Sequence, residues 1–357
     1  MERSLQQVLA NWADFAMLSE GDRQWLESVG QAQTLPVRAV LIQEGEPIPI
    51  IYIVLAGRFG VSVSAPEVEA GEQDWPHPKG AVQLGVLEPG ELVGEISFID
   101  DRPPVATVTA LEPAQVWTIP RLQLNQKLVL DRRFSSRFYR ILAAILSRRL
   151  RSIATLLART QELPSPPLPK ALFMFGVLND ADIDWMVAIG ELQRWNPGTV
   201  LIQAGEVPVA VYIVLSGSFA VSVSFEPAFP KQEIAQLSRG EIVGEMSFVE
   251  TATASATVVC RTSAQVLALP SSQLSAHLQQ DYGFATRFYR AICVVVADRL
   301  REGLIKRGYS RLAFVEGQTL EDDLEYEDEI DLQTLEQTAL ARVRFDWMVK
   351  RLATKLK

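Results

Sequence analysis

Along this chain apolar residues recur in two rhythms, and each rhythm comes twice. Over Asn11–Val29 and Asn179–Ile189 aromatic and aliphatic positions return every three or four residues, with Asp22…Trp25 answered by Asp182…Trp185. That is the period of a helix with one face buried. Short runs rich in Val, Ile and Tyr follow, punctuated by Gly and Pro, and they predict strands. In the first half these are Val37–Gln43, Ile50–Leu55, Phe59–Ser64, Val82–Val86, Ala106–Ala110 and Gln115–Ile119. Glu44-Gly45, Ala204-Gly205, Ala56-Gly57 and Ser216-Gly217 stand where tight turns need a residue free to take positive φ. The helical period then returns. Asp131–Leu157 sets Phe134, Phe138, Ile141, Ile145, Leu146, Leu150, Ile153 and Leu157 along one broad face, and Phe284, Phe288, Ile292, Val295, Val296 and Leu300 do likewise.

The doubling extends to the letters. Gly90-Glu-Leu-Val-Gly-Glu-Ile-Ser-Phe98 returns as Gly240-Glu-Ile-Val-Gly-Glu-Met-Ser-Phe248, Leu41-Ile-Gln-Glu-Gly-Glu46 as Leu201-Ile-Gln-Ala-Gly-Glu206, and Phe138-Tyr-Arg140 as Phe288-Tyr-Arg290. Upstream pairs are offset by 160 residues and downstream pairs by 150, so the first copy carries ten extra residues. They fall in Ala65–Gly80, which the second copy shortens to Phe225–Lys231, a surface loop by composition. A solenoid unit repeats every 20 to 50 residues or so. This period is far longer and marks a duplicated domain. Residues 1–160 and 171–307 are the expected copies, joined at 161–170 by a semi-rigid spacer that includes Leu163-Pro-Ser-Pro-Pro-Leu-Pro169. Beyond Gly308 the repetition stops. Residues 308–331 form an acidic linker, and Asp331 is the expected N-cap of a last helix over 332–357. That helix is expected to face inward with Leu332, Leu335, Ala339, Val343, Trp347 and Leu352, and it ends on Arg342, Arg344, Lys350, Arg351, Lys355 and Lys357.

Composition narrows the function. With 48% hydrophobic and 22% charged residues the chain reads as an ordinary soluble globular protein. Its longest apolar runs, Ile50–Ala56 and Ala291–Ala297, fall well short of the ~20 residues of a membrane span. No secretory signal is visible at the start, and the expected protein is cytoplasmic and bacterial. Cys260, Cys293, His77 and His277 form no metal-ligand spacing, and the thiols read as small buried hydrophobes. The net charge of −9 is matched by nine carboxylates between Glu316 and Asp331, a run without Lys or Arg that repels nucleic acid.

Helices, then a small β-roll with glycines at its turns, then G-E-(I/M)-S-F and A-T-V, then a long amphipathic helix: this order resembles the cyclic nucleotide-binding domain. Both copies match, roughly over residues 15–157 and 175–306. The resemblance implies a mainly β fold with flanking helices: two jelly-roll-type β-rolls, each with N-terminal helices and a long C-terminal helix. It also implies a ligand, cAMP or cGMP. A short helix in this family presents backbone N–H groups to the ribose-phosphate, an arginine neutralises the phosphate, and a glutamate accepts from the ribose 2′-hydroxyl. Carried over, Gly94, Glu95, Ile96 and Ser97 in the first copy and Gly244, Glu245, Met246 and Ser247 in the second supply the glycine and glutamate. Thr107 and Thr257 match the threonine of A-T-V.

The arginine is where the match fails: Pro104 stands in its place in the first copy and Ala254 in the second. A charge-assisted hydrogen bond is worth about 1.5–3 kcal/mol and a desolvated unpaired charge costs more, so the loss costs about two to three decades in affinity. Arg102, two positions early, is the candidate substitute in the first copy, whereas the second has no basic residue between Arg239 and Arg261. The expected protein is therefore a non-enzymatic regulatory or adaptor protein with two degenerate domains, no cofactor, and a protein partner met through Leu332–Leu356. The alternative is a cAMP or cGMP sensor using the first domain. A DNA-binding regulator is disfavoured, since residues 308–357 offer one helix where a recognition pair needs two. No Arg-Arg-x-(Ser/Ala) segment precedes the first copy, which weighs against a kinase catalytic subunit as partner. Asp100-Asp101, the most visible paired carboxylates, read as a solvated turn. Asp131–Leu157 either pairs with Phe284–Leu304 as an internal pseudo-dimer or folds back on its own roll.

Overall fold

The structure, a computed structural model, describes residues 5–64, 81–157, 172–224, 232–305 and 332–355. The first copy runs α1 (Leu5–Asn11), a 3-10 turn (Ala13–Met17), α2 (Glu20–Val29), β1 (Gln31–Leu35), β2 (Val40–Ile42), β3 (Ile50–Ala56), β4 (Phe59–Ser64), β5 (Ala81–Leu87), β6 (Leu92–Val93), α3 (Glu95–Asp100), β7 (Thr107–Ala110), β8 (Ala114–Pro120), α4 (Arg121–Leu130) and α5 (Arg132–Leu157). The second repeats it: α6 (Phe173–Val177), α7 (Asp180–Ile189), β9 (Glu191–Trp195), β10 (Val200–Ile202), β11 (Ala210–Ser216), β12 (Phe219–Val223), β13 (Gln232–Leu237), β14 (Ile242–Val243), α8 (Glu245–Glu250), β15 (Thr257–Cys260), β16 (Ala264–Pro270), α9 (Ser271–Gln280) and α10 (Tyr282–Ile305). A last helix, α11, spans Leu332–Lys355.

Each copy is a pair of four-stranded antiparallel sheets, β1-β8-β3-β6 with β2-β7-β4-β5 and, in the same pattern, β9-β16-β11-β14 with β10-β15-β12-β13. Alternation along the strands sends one set of side chains inward. Tyr52 and Val54 of β3, Phe59 of β4, Val93 of β6, Val108 and Ala110 of β7 and Val116 of β8 form the first core. Tyr212, Val214, Phe219, Val243, Val258, Cys260 and Val266 form its counterpart. The expected turn glycines take positive φ: Gly45 84°, Gly57 80°, Gly205 87° and Gly217 81°.

The described chain divides into two compact units, and the division falls inside both long helices. Residues up to Leu146 group with the chain from Ala297, and Ser147–Val296 group with α11. Neither long helix stays with one unit. Helices α2 and α7 each start at a capping box, Ser19 with Asp22 and Asn179 with Asp182. The same buried aspartate then takes a two-pronged arginine from the long helix: Arg137 to Asp22 at 2.7 and 3.0 Å, and Arg287 to Asp182 at 2.6 and 2.8 Å. One carboxylate thus starts a helix and ties it to a second helix.

Three expectations need correction here. Asn11–Val29 is the last residue of α1, a 3-10 turn and α2 rather than one stretch, and Val37–Gln43 shortens to β2 because Arg38 turns the chain at φ 69°. The inward face of α11 is Ala341, Phe345, Met348 and Leu352, while Ala339 is exposed and Val343 is 65% exposed. Packing on α6 and α7 selects that face, so the helix is docked on its own chain rather than held out. The loop 65–80, the spacer 161–170, the acidic linker 308–331 and with it Asp331 lie outside the described residues.

Candidate functional site

Each G-E-x-S-F segment makes a strand-to-helix corner that only glycine turns without strain. Gly94 sits at φ 90° and Gly244 at φ 85°, and a side chain at Gly244 would come within 3.2 Å of the Ala210 carbonyl. Helices α3 and α8 follow at once. Their first residues, Glu95 and Glu245, are each 2% exposed, and Ser97 and Ser247 are buried behind them. Ile96 and Met246 stay half-buried. Thr107 and Thr257 are buried and serve the turn after β2 or β10. Thr107 Oγ1 accepts from the Glu44 N–H at 3.2 Å, and Thr257 Oγ1 from the Ala204 N–H at 3.3 Å.

The positions where the resemblance places an arginine are held by backbone pairing. Pro104 is buried, and its carbonyl accepts from Gly45 N–H at 2.9 Å. Ala254, 7% exposed, packs in the second core and exchanges two backbone hydrogen bonds with Gly205 and Glu206, each 2.8 Å. Arg102, the candidate substitute, is turned elsewhere: its Nη1 lies 3.8 Å from Asp298 Oδ1 and its side chain is 41% exposed.

Cations do reach these segments, from the long helices. In unit 1, Arg301 of α10 grips Asp100 at the end of α3, Nε to Oδ2 at 2.6 Å and Nη2 to Oδ1 at 3.0 Å, and its Nη1 donates to the Pro103 carbonyl at 2.8 Å. The pair is buried, with side chains 5% and 9% exposed. In unit 2, Arg151 of α5 donates to Glu250 at the end of α8 at 3.1 Å and to the Thr253 carbonyl at 3.3 Å. Arg151 and Arg301 are offset by 150 residues, as are Asp100 and Glu250, and Pro103 and Thr253. The arginine therefore meets the residue just before the position that lacks one. Asp100 is not the solvated carboxylate its turn suggested. Only Asp101 is exposed, at φ 59° and paired with Arg121 at 2.5 Å.

Other chemistry is sparse. Burial pushes the thiols of Cys260 and Cys293 up, away from thiolate character. His277 stacks on Trp185 with centroids 3.9 Å apart. Among the described residues no cluster of His, Cys, Asp or Glu could hold a metal, and no helix is long and apolar enough to cross a membrane.

A family model described as the cyclic nucleotide-binding domain matches residues 32–130 and 192–281. A cAMP-dependent protein kinase regulatory subunit of Colletotrichum orbiculare is 25% identical over 258 residues, covering 70% of this chain and 56% of that protein. The cGMP-dependent protein kinase egl-4 of Caenorhabditis elegans is 23% identical over 259 residues, covering 71% and 28%. The chain thus spans little more than half the length of such relatives, or less. The regulatory domain of Toxoplasma gondii PKA, solved with cAMP, aligns at TM-score 0.29 and 21% identity, covering 77% of this chain and 93% of that one. These sequence relatives are eukaryotic and give the expected bacterial source no support.

Proposed function

Since the chain belongs to the cyclic nucleotide-binding domain family, we propose that it is a non-enzymatic regulatory protein working through protein contacts, its two short helices braced by its own arginines. One observation carries this reading. Where the family places the phosphate's arginine, Pro104 and Ala254 are tied into backbone pairs, while Arg301 and Arg151 bind the carboxylates Asp100 and Glu250. Arg301 already spends three donors within unit 1, two on a carboxylate and one on a carbonyl, so its charge is paired with Asp100 in a buried bridge. The residues present therefore fit the sugar side of a cyclic nucleotide, through Glu95 or Glu245, and do not fit its phosphate. The regulatory subunits among the relatives support a role exercised on another protein.

A second reading, a sensor of cAMP or cGMP in the first module, is favoured by the retained corner at Gly94 and the buried Glu95, Ser97 and Thr107. Calorimetric titration of cAMP and of cGMP into the full chain separates the two. The expected result is no saturable heat at micromolar nucleotide. Saturable binding that Glu95→Ala removes would establish the sensor instead, and its loss in Arg102→Ala would make Arg102 the substitute cation.

A further inference from the structure

Helix α11 fills a groove that the duplication also built in unit 1. At the 160-residue offset the 3-10 turn and α2 correspond to α6 and α7. In unit 1 the neighbouring helix is α1, which packs on both with Leu5, Val8 and Leu9 buried. In unit 2 the helix on that groove is α11, arriving from the other end of the chain. Phe345 meets Phe175 edge-on with centroids 5.1 Å apart, and Met348 and Leu352 are buried alongside.

The two grooves ask for different helices. In unit 1 the carbonyl of Leu18 is satisfied within the module, by Arg23 Nε at 3.2 Å and Nη2 at 2.8 Å. The counterpart of Arg23 is Ile183, fully buried and unable to donate. The matching carbonyl, Leu178, takes its guanidinium from the incoming helix: Arg344 Nη1 donates to it at 2.6 Å and to the Phe175 carbonyl at 3.3 Å, with Nε on Asp180 at 2.8 Å. Two turns on, Arg351 Nη2 pairs with Asp184 at 2.7 Å, where unit 1 has the neutral Gln24. The contact of α1 with α2 is by contrast an amide, Gln6, on Glu27 at 2.6 Å. Unit 2 thus has an apolar groove edged by Asp180, Asp184 and two carbonyls, with Arg239 also on Asp346 of α11 at 2.6 Å and over the Phe345 ring, and what it reads is Arg-Phe-Asp-x-Met-x-x-Arg-Leu, residues 344–352.

We propose that the α6–α7 groove is a recognition site for a basic amphipathic helix of a partner protein, with α11 as its exchangeable intramolecular occupant. The seated α11 shows the fit, and the charge complementarity fixes the chemistry of the competitor. Seven positions separate the two arginines, which holds them on one face of a helix as Asp180 and Asp184 require. Helix-in-groove recognition uses this i, i+4, i+7 spacing of anchors. This inference does not rest on how the modules treat nucleotides.

The test uses a fluorescent peptide of residues 332–357 as the probe and full-length chains as receptors. In one receptor the internal helix is disabled by Arg344→Glu, Phe345→Ala and Arg351→Glu. That receptor is expected to bind the peptide saturably, more weakly as salt rises, and at least about tenfold more tightly than the wild-type chain, whose tethered helix competes. Equal binding by both chains, or none by either, overturns the proposal. A misfolded receptor is distinguished by charge exchange. Adding Asp184→Lys to a receptor disabled by Arg344→Glu and Phe345→Ala alone is expected to weaken the wild-type peptide and strengthen one carrying Arg351→Glu, and failure to exchange preference also overturns the site. Wild-type dimers that dissociate on adding peptide would assign the groove to a second copy and overturn a separate partner.

Discussion

The pair formed by Arg301 and Asp100 is the most demanding interaction of a single residue in unit 1, because both side chains are under a tenth exposed. Removing one member leaves the other charge buried, a loss of about 3–5 kcal/mol. Arg301→Ala is therefore expected to lower the urea midpoint far more than Arg151→Ala. Glu250 is as buried as Asp100, but Arg151 is itself 25% exposed and makes longer bonds, so its loss should cost only about 1.5–3 kcal/mol. Equal effects would show that burial does not set the strength of these clamps. Asp131 offers a pH test. Burial alone would raise its pKa, but the hydrogen bonds from Lys127 and from the Phe134 N–H outweigh it and hold the carboxyl below its ordinary value. Its contribution is therefore present above the unfolded carboxylate value of about 3.9 and is lost as pH falls through the lower folded value. The stability difference between wild type and Asp131→Asn should accordingly shrink in acid below about pH 4. A difference that stays constant would show that the charge of Asp131 does not stabilise the fold. The clamps themselves were hard to read along the chain, since Arg301 and Asp100 stand 201 residues apart. The signal was nonetheless there, because both partners of one clamp recur at the 150-residue offset in the other.

Among elements, the corners at Gly94 and Gly244 and the seat of α11 carry the clearest tests. Gly244→Ala puts a Cβ at positive φ, which costs roughly 1–2 kcal/mol, and brings it close to the Ala210 carbonyl. It should lower the melting temperature without unfolding the chain, and a neutral result would contradict the strain. Phe345→Ala empties a fully buried ring site against Phe175, for about 3–5 kcal/mol, and a lower urea midpoint would report it. Strands with an inward apolar face were legible because one face is buried: β3, β4, β5, β7 and β8 fall within a residue or so of their periodic runs. Strand β1 was missed because Gln31–Leu35 is exposed at four of five positions and shows no alternation, and β6 because two residues carry no period. The face of α11 was misjudged for a different reason. An apolar stripe through Val343 and another through Phe345 are both present in 332–355, and the groove on α6 and α7 chose the second.

For the whole molecule, duplication supplied two roll-and-helix modules and then let their ends diverge. The family and the architecture were readable from the repeated G-E-(I/M)-S-F and A-T-V segments, since these mark a local corner whose geometry lies in adjacent residues. What could not be read was how each corner is held, which depends on α5 and α10 crossing from one compact unit to the next. The central claim is that α3 and α8 are braced by arginines of the chain itself. Hydrogen–deuterium exchange over 95–103 and 245–253 of the full chain, without nucleotide, tests it most directly. The account predicts that Arg301→Gln accelerates exchange in the first segment only and Arg151→Gln in the second only. Unchanged exchange in both variants, with protection gained by the wild type when cAMP is added, would contradict it.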